Sequence, residues 1–323
     1  MRTGAAAGHD GYFHEAAFYG SDDEFLAITV PFVRDGLASG EPTLVRLDAQ
    51  WALLLGSALG DLDGVTFMPA ADRYARPTTT IRSYREWLAK HVADGARQVR
   101  VVGDVPHPGT GASWDTWVRY EAVINDAYDE FPLWGLCPYD TRTTPADVLA
   151  DVERLHPHVA TTDERHLGNA RYEDPAAYLR SRTPSTPFSS PGARPAVTIV
   201  DPSPTTARRA VTDLARAERL STDAVQRLEL ATSEIAANAV VHGRGPVRLR
   251  AWAGPDRITV AVTDGGPGPV DPFVGLVPST TRPDGVGGYG LWLVHQLCTD
   301  VALAATEAGF TVQLTLERAD TRT

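Results

Sequence analysis

Along residues 14–137 short apolar runs alternate with longer stretches in which apolar residues recur every three or four positions. A short β-branched or aromatic run reads as a buried strand, and the three-and-four spacing reads as a helix with one face inward. Strands are predicted at 16–19 (entered through His14 and Glu15), 43–47, 65–68, 99–102 and 133–137. Helices are predicted between them, at 25–40, 51–59, 80–93 and 113–128. Ser21 stands three residues before Glu24, a signature of a capped helix start. Pro31 falls inside that first helix, where a missing N–H favours a kink. Strand and helix alternating in this way predict an α/β domain with a mostly parallel sheet.

The pattern then changes. After a helical stretch at 145–155 come His156-Pro157-His158, a polar run at 161–169 and a short helix signal at 175–182. Residues 183–195, TPSTPFSSPGARP, read as an extended linker. The expected division is a domain at 1–157, a connector at 158–195 and a second domain at 196–323. In the second domain a strand at 196–200 precedes a helix at 204–219 with Ala207, Val211, Leu214 and Ala215 on one face. A second helix follows a cap at Ser221 or Thr222. Strands at 247–253 and 257–262 flank the hairpin signal Gly254-Pro255-Asp256, and strands at 301–305 and 310–316 close the chain.

Composition narrows the function classes. The chain has 323 residues and a net charge of −11, without the basic stripe of a nucleic-acid binder. Two isolated cysteines, Cys137 and Cys298, fit a reducing compartment. No run approaches a membrane span and the N-terminus lacks a signal-type apolar core, so a cytoplasmic protein is expected. The only lysine is Lys90, and GxxxxGK[ST] is absent, which argues against a P-loop ATPase in the first half.

The chemistry concentrates in the second domain. Glu234 and Asn238, four apart in LATSEIAANAVVHG, share one helix face. An amide oxygen suits a hard cation, and a carboxylate can take a proton from an attacking hydroxyl. Asp264-Gly265-Gly266-Pro267-Gly268 follows a strand, and Gly285-Val286-Gly287-Gly288-Tyr289-Gly290-Leu291 runs into an apolar helix. Glycines before a helix N-terminus make a phosphate site from backbone N–H groups. This ordered set resembles the GHKL, or Bergerat, ATP-binding fold, a two-layer α/β sandwich. The resemblance implies ATP and magnesium as cofactors. It implies Asn238 as the magnesium ligand and Asp264, with Gly266 and Gly268, at adenine. Gly287, Gly288, Gly290 and Leu291 would lie at the phosphates, and Thr311 would join the adenine network through water.

Within that superfamily EIAANAVVHG and GGYGLWLVHQLCTDV resemble the RsbW-like anti-sigma serine kinases. That branch implies Glu234 as general base for a serine or threonine hydroxyl on an anti-anti-sigma partner, and a sigma factor as the second partner. A homodimer is compatible; nucleic acid and membrane are not expected partners. With no lysine in this half, Arg282 or Arg244 would supply the cation for phosphate. Two alternatives stay open. One is a non-catalytic partner-binding module. The other is a histidine autokinase, disfavoured because Pro157 breaks any helix carrying both His156 and His158.

The first half resembles the MEDS sensory module through His14-Glu15-Ala16-Ala17-Phe18-Tyr19, Asp22 to Leu26 and Leu136-Cys137-Pro138-Tyr139-Asp140. That resemblance implies a degenerate RecA-like fold that senses a signal, with a small molecule among the candidates. His14 reads first as a strand-entrance histidine bonded to backbone, and Cys137 as inert packing, with a ligand or sensory role as the alternative for each. Trp114, Trp117 and Trp134 read as core before pocket.

Overall fold

The computed structural model describes residues 2–60, 63–68, 76–110, 112, 114–182, 194–277, 289–306 and 309–317. The chain divides into two compact units, Met1–Thr183 and Pro184–Thr323.

The first unit is built on a seven-stranded sheet. In chain order its elements are β1 (Phe13–Tyr19), α1 (Asp22–Ala38), β2 (Thr43–Arg46), α2 (Ala49–Leu59), β3 (Val65–Phe67), α3 (Pro77–Ala93) and β4 (Val99–Gly103). They continue with α4 (Trp114–Ala127), β5 (Leu133–Asp140), α5 (Ala146–Leu155), β6 (His158–Ala160), β7 (His166–Gly168) and α6 (Pro175–Ser181). The strand order is β3-β2-β4-β5-β1-β6-β7. Every pairing is parallel except β6 with β7. The mostly parallel sheet is as expected, and β1 and β5, neighbours inside it, are buried along almost their whole length, polar His14, Glu15 and Asp140 included.

Local signals explain the starts. Ser21 Oγ accepts from the Glu24 N–H at 3.1 Å, and Glu24 reaches back to the Gly20 N–H at 2.6 Å. Helix α1 runs unbroken through Pro31. Its Phe25, Ile28 and Phe32 pack with Phe13, Ala17 and Trp134 in one core. A buried ion pair crosses that core: Arg100 Nε donates to Glu41 Oε2 at 2.6 Å, and its guanidinium lies 4.4 Å from the Trp134 ring centroid. Such a pair is costly to break from one side, because the remaining charge is left buried.

The chain expected as a connector from residue 158 is largely structure. Strand β6 pairs in parallel with β1, through Glu15 with His158 and Ala17 with Ala160. His166 of β7 lies 2.7 Å from the buried Glu15 carboxylate, which also accepts from Trp134 Nε1 at 2.7 Å. Two three-residue strands carry too little periodicity to be read from sequence; partners from β1 fix them. The unit closes at Thr183.

The second unit is a two-layer sandwich. Its elements are β8 (Val197–Val200), α7 (Pro204–Ala217), α8 (Thr222–His242), β9 (Arg248–Ala253), β10 (Arg257–Asp264), α9 (Tyr289–Leu297), β11 (Asp300–Thr306) and β12 (Gly309–Glu317). The sheet order β11-β12-β10-β9-β8 is antiparallel throughout. Ser221 caps α8 by accepting from the Ala224 N–H at 3.2 Å. Helix α8 packs against both α7 and α9. Its Leu228, Ala231 and Ile235 meet Leu249, Val260, Val262 and Leu314 of the sheet in one core. Each fully buried Leu, Ile or Val among them stabilises the fold by about 1.5–3 kcal/mol.

Candidate functional site

The site grows from the face of α8 that is only half covered. Glu234 and Asn238 are both partly buried, next to the wholly buried Ile235 and Ala239. The first turn of α9 comes up against them. A Cβ placed on Gly290 would lie 2.7 Å from Glu234 Oε2 and 3.5 Å from Asn238 Nδ2. Glycine at 290 is therefore what lets the start of α9 approach the acid and the amide together. The first N–H groups of a helix have no partner within it and carry its positive pole, so such a helix start could face an anion, next to a carboxylate and an amide oxygen able to ligate a hard cation.

The second part of the site lies at the end of β10. Asp264 is buried, and its Oδ1 accepts from the N–H groups of Gly266 at 2.7 Å and Arg244 at 3.1 Å. The chain leaving α8 and the loop leaving β10 thus wrap the same carboxylate. Gly243 and Gly266 permit the wrapping: a Cβ on Gly243 would sit 2.4 Å from Asp264 Cγ, and one on Gly266 2.7 Å from Oδ1. Both of these bonds fall on Oδ1, which leaves Asp264 Oδ2 to accept from a ligand N–H.

The structure separates one expected residue from this set. Side chains alternate across a strand, and Val260 and Val262 point into the helix-facing core, so Asp264 points the same way. Its partner on β12 is Phe310, and the next pair, Thr263 with Thr311, faces the other side of the sheet. There the Thr311 hydroxyl is 2.8 Å from that of Thr263. Thr311 is thus not on the Asp264 face as the resemblance implied; the period of two puts Phe310 there. The Phe310 ring lies against Gly268, where a Cβ would meet it at 2.2 Å and where φ is +80°. Phe310 was missed, although the inward alternation of Val312, Leu314 and Leu316 would have found it.

Leu291 packs its side chain against the core, so it can offer phosphate only its backbone N–H. Gly275, in the segment after Gly268, packs against Leu291 and His295 of α9. Arg244 is exposed, and its side chain is available as the expected cation. Gly287, Gly288 and Arg282 lie outside the described residues.

In the first unit His14 and Cys137 prove to be neighbours. His14 lies within β1 rather than at its entrance, and its ring bonds side chains, not backbone: Nδ1 is 3.0 Å from Asn125 Oδ1 and Nε2 3.4 Å from Cys137 Sγ. Burial, then His156, holds the His14 imidazole well below the usual histidine range. Burial, then the nearby Glu121, pushes the Cys137 thiol up. The indoles of Trp114 and Trp134 are buried and donate to Asp151 and Glu15, so both serve the core.

Comparison with known proteins agrees with these two halves. Residues 13–157 match the MEDS family, described as the methanogen/methylotroph, DcmR sensory domain, and residues 202–316 match the histidine kinase-like ATPase domain. The transcriptional repressor DcmR of Methylorubrum extorquens is 26% identical over 164 aligned residues, in a match that covers 46% of this chain and 61% of that repressor. The match therefore spans less than two thirds of the repressor's length. The NMR structure of the histidine kinase domain of the E. coli osmosensor EnvZ aligns over 41% of this chain and 94% of that domain, at 16% identity. Its TM-score of 0.23 is too low to support a structural argument. Among the described residues no helix is long and apolar enough to cross a membrane. The chain thus carries a MEDS sensory domain at its N-terminus and a histidine kinase-like ATPase domain at its C-terminus.

Proposed function

We propose that the protein is a signal-responsive anti-sigma regulator whose C-terminal domain binds ATP with magnesium and phosphorylates a serine or threonine of an anti-anti-sigma antagonist. The observation that carries this reading is the meeting of Glu234 and Asn238 with Gly290 at the start of α9. The donor set fits the ligand. Asp264 Oδ2 would accept from the exocyclic amine of adenine. The N–H groups opening α9 would face phosphate, and Asn238 would supply an oxygen to magnesium. When bound, ATP supplies the phosphoryl group. Glu234 then takes the proton from the partner's hydroxyl at its carboxylate, within reach of the same helix start.

An acceptor on another protein fits the placement of the connector histidines. His156 is fully buried, and His158 and His166 lie in β6 and β7, none of them on a long exposed helix. The test is transfer of radiolabel from ATP to candidate antagonist proteins. Label on a serine or threonine of the antagonist, lost in Asn238→Ala, supports the kinase. Nucleotide binding without transfer supports a non-catalytic module that holds its sigma factor by contact alone. That second reading draws on the absence of lysine from this half of the chain. Acid-labile phosphate on the chain itself would instead indicate an autokinase.

A further inference from the structure

Four side chains from separate parts of the first unit converge on one point in its interior. They are His14 on β1, Glu121 on α4, Cys137 on β5 and His156 just past α5. All four are buried, and one ligand atom of each lies within 4.8 Å of the other three. Cys137 Sγ is 3.4 Å from His14 Nε2, His14 Nε2 is 3.8 Å from Glu121 Oε2, and Glu121 Oε2 is 3.5 Å from His156 Nε2. Zinc bonds of about 2.0–2.3 Å at tetrahedral angles set ligand atoms roughly 3.3–3.8 Å apart. These three separations fall within that range, and the other pairs lie within 4.8 Å, so small side-chain shifts would close a shell around an ion.

The surroundings aim these atoms inward. Asn125 donates through Nδ2 to the carbonyls of Glu121 at 3.0 Å and Leu155 at 3.1 Å, which turns its Oδ1 toward His14 Nδ1. His14 Nδ1 must then be the donor, and its Nε2 carries the lone pair. His156 Nδ1 likewise donates to the Val152 carbonyl at 2.8 Å, leaving Nε2 as the acceptor. Tyr139 donates its hydroxyl proton to Glu121 Oε1 at 2.6 Å, which leaves Oε2 facing the cluster. Outer partners of this kind orient metal-binding histidines and carboxylates.

Two of the atoms so aimed are unsatisfied. Glu121 Oε2 and His156 Nε2 are buried and make no hydrogen bond, although they lie side by side. Leaving a buried polar atom without a partner is costly, more so when it is charged, so a pair of them facing one point calls for a ligand.

We propose that His14, Glu121, Cys137 and His156 form a closed site for a divalent transition-metal ion, with zinc favoured by the two imidazole nitrogens, one thiolate and one carboxylate. Mixed sulfur, nitrogen and oxygen donors at tetrahedral spacing suit zinc better than magnesium or calcium, which take oxygen ligands. Binding exchanges the Cys137 thiol proton, and any proton on Glu121, for the cation; no electron moves. With four buried protein donors, the ion would hold α4 and the end of α5 to the central strands β1 and β5.

The test uses the tag-free full chain, freed of metal by chelation and then dialysed against zinc or cobalt(II). Elemental analysis should find about one zinc per chain. Cobalt(II) should give tetrahedral visible bands with a thiolate charge-transfer band. Cys137→Ser should abolish that band, and Cys298→Ser, at the buried cysteine of the other unit, should keep it. Asn125→Ala keeps all four ligands but loses the support of His14, and should weaken zinc binding about 10–100-fold. Circular dichroism checks that the variants fold; should Cys137→Ser unfold, the wild-type band and the Asn125→Ala affinity still decide. Uptake below about a tenth of an equivalent by the folded wild type, or a cobalt spectrum without the thiolate band, overturns the proposal.

Discussion

Phe310 lies opposite Asp264 across the β10–β12 pair, and its ring covers Gly268. A buried carboxylate, an aromatic wall and a glycine with φ of +80° thus share one corner of the ATPase domain. Gly268→Ala adds a Cβ that meets the ring and forces an L-residue into the left-handed region. The expected loss is about 1–3 kcal/mol of stability, read from denaturant unfolding of the second unit. Phe310→Ala in the same background should relieve the clash and leave the backbone strain. A double variant no better than Gly268→Ala alone would mean that the ring is not the obstacle.

The two faces of β12 give a contrast in binding. Asp264→Asn removes the carboxylate that the Arg244 and Gly266 amides orient, and nucleotide affinity should fall roughly 10–100-fold, the worth of a charged hydrogen bond. Thr311→Val, on the far face with Thr263, should leave affinity within about twofold, less than 0.5 kcal/mol. Isothermal titration with a non-hydrolysable ATP analogue measures both. A large loss in Thr311→Val would return that residue to the site.

Glu234 and Asn238 should separate chemistry from binding. Glu234→Gln keeps the shape and removes the base, so label transfer to an antagonist should fall about 10²–10⁴-fold with nucleotide affinity little changed. Asn238→Ala should lower affinity in magnesium and less in EDTA, because it removes a cation ligand. Equal losses with and without magnesium would count against a ligand role.

In the sensory domain Glu41→Ala leaves Arg100 buried without its carboxylate, with the Phe32 carbonyl and Thr3 hydroxyl as remaining acceptors. The expected cost is about 3–5 kcal/mol, seen as loss of hydrogen-exchange protection confined to residues 2–182. Protection lost equally in both units would show that the pair does not act within the first domain alone.

Much of this protein was legible in the residues. Periodicity separated strands from helices because the buried parallel strands hold short, mostly apolar runs and amphipathic helices repeat at three and four. The cap at Ser21 and the glycine motifs around Asp264 and Gly290 are local signals, written in residues close together in the chain. Glu234 and Asn238 share a helix face by spacing alone. What spacing could not give was partnership across the fold. The hairpin β6–β7 is held by pairing with β1 and by His166 on Glu15, over 140 residues away in sequence. The side of the sheet on which Thr311 falls is set by the register of β12 against β10, where a shift of one residue exchanges the faces. The meeting of His14, Glu121, Cys137 and His156 likewise depends on two helices packing over two neighbouring strands. Sequence determined the longer elements and the short motifs, because those follow from neighbours in the chain; only the tertiary structure decided the short strands β6 and β7 and which faces and distant side chains meet, because packing and register are relations between elements.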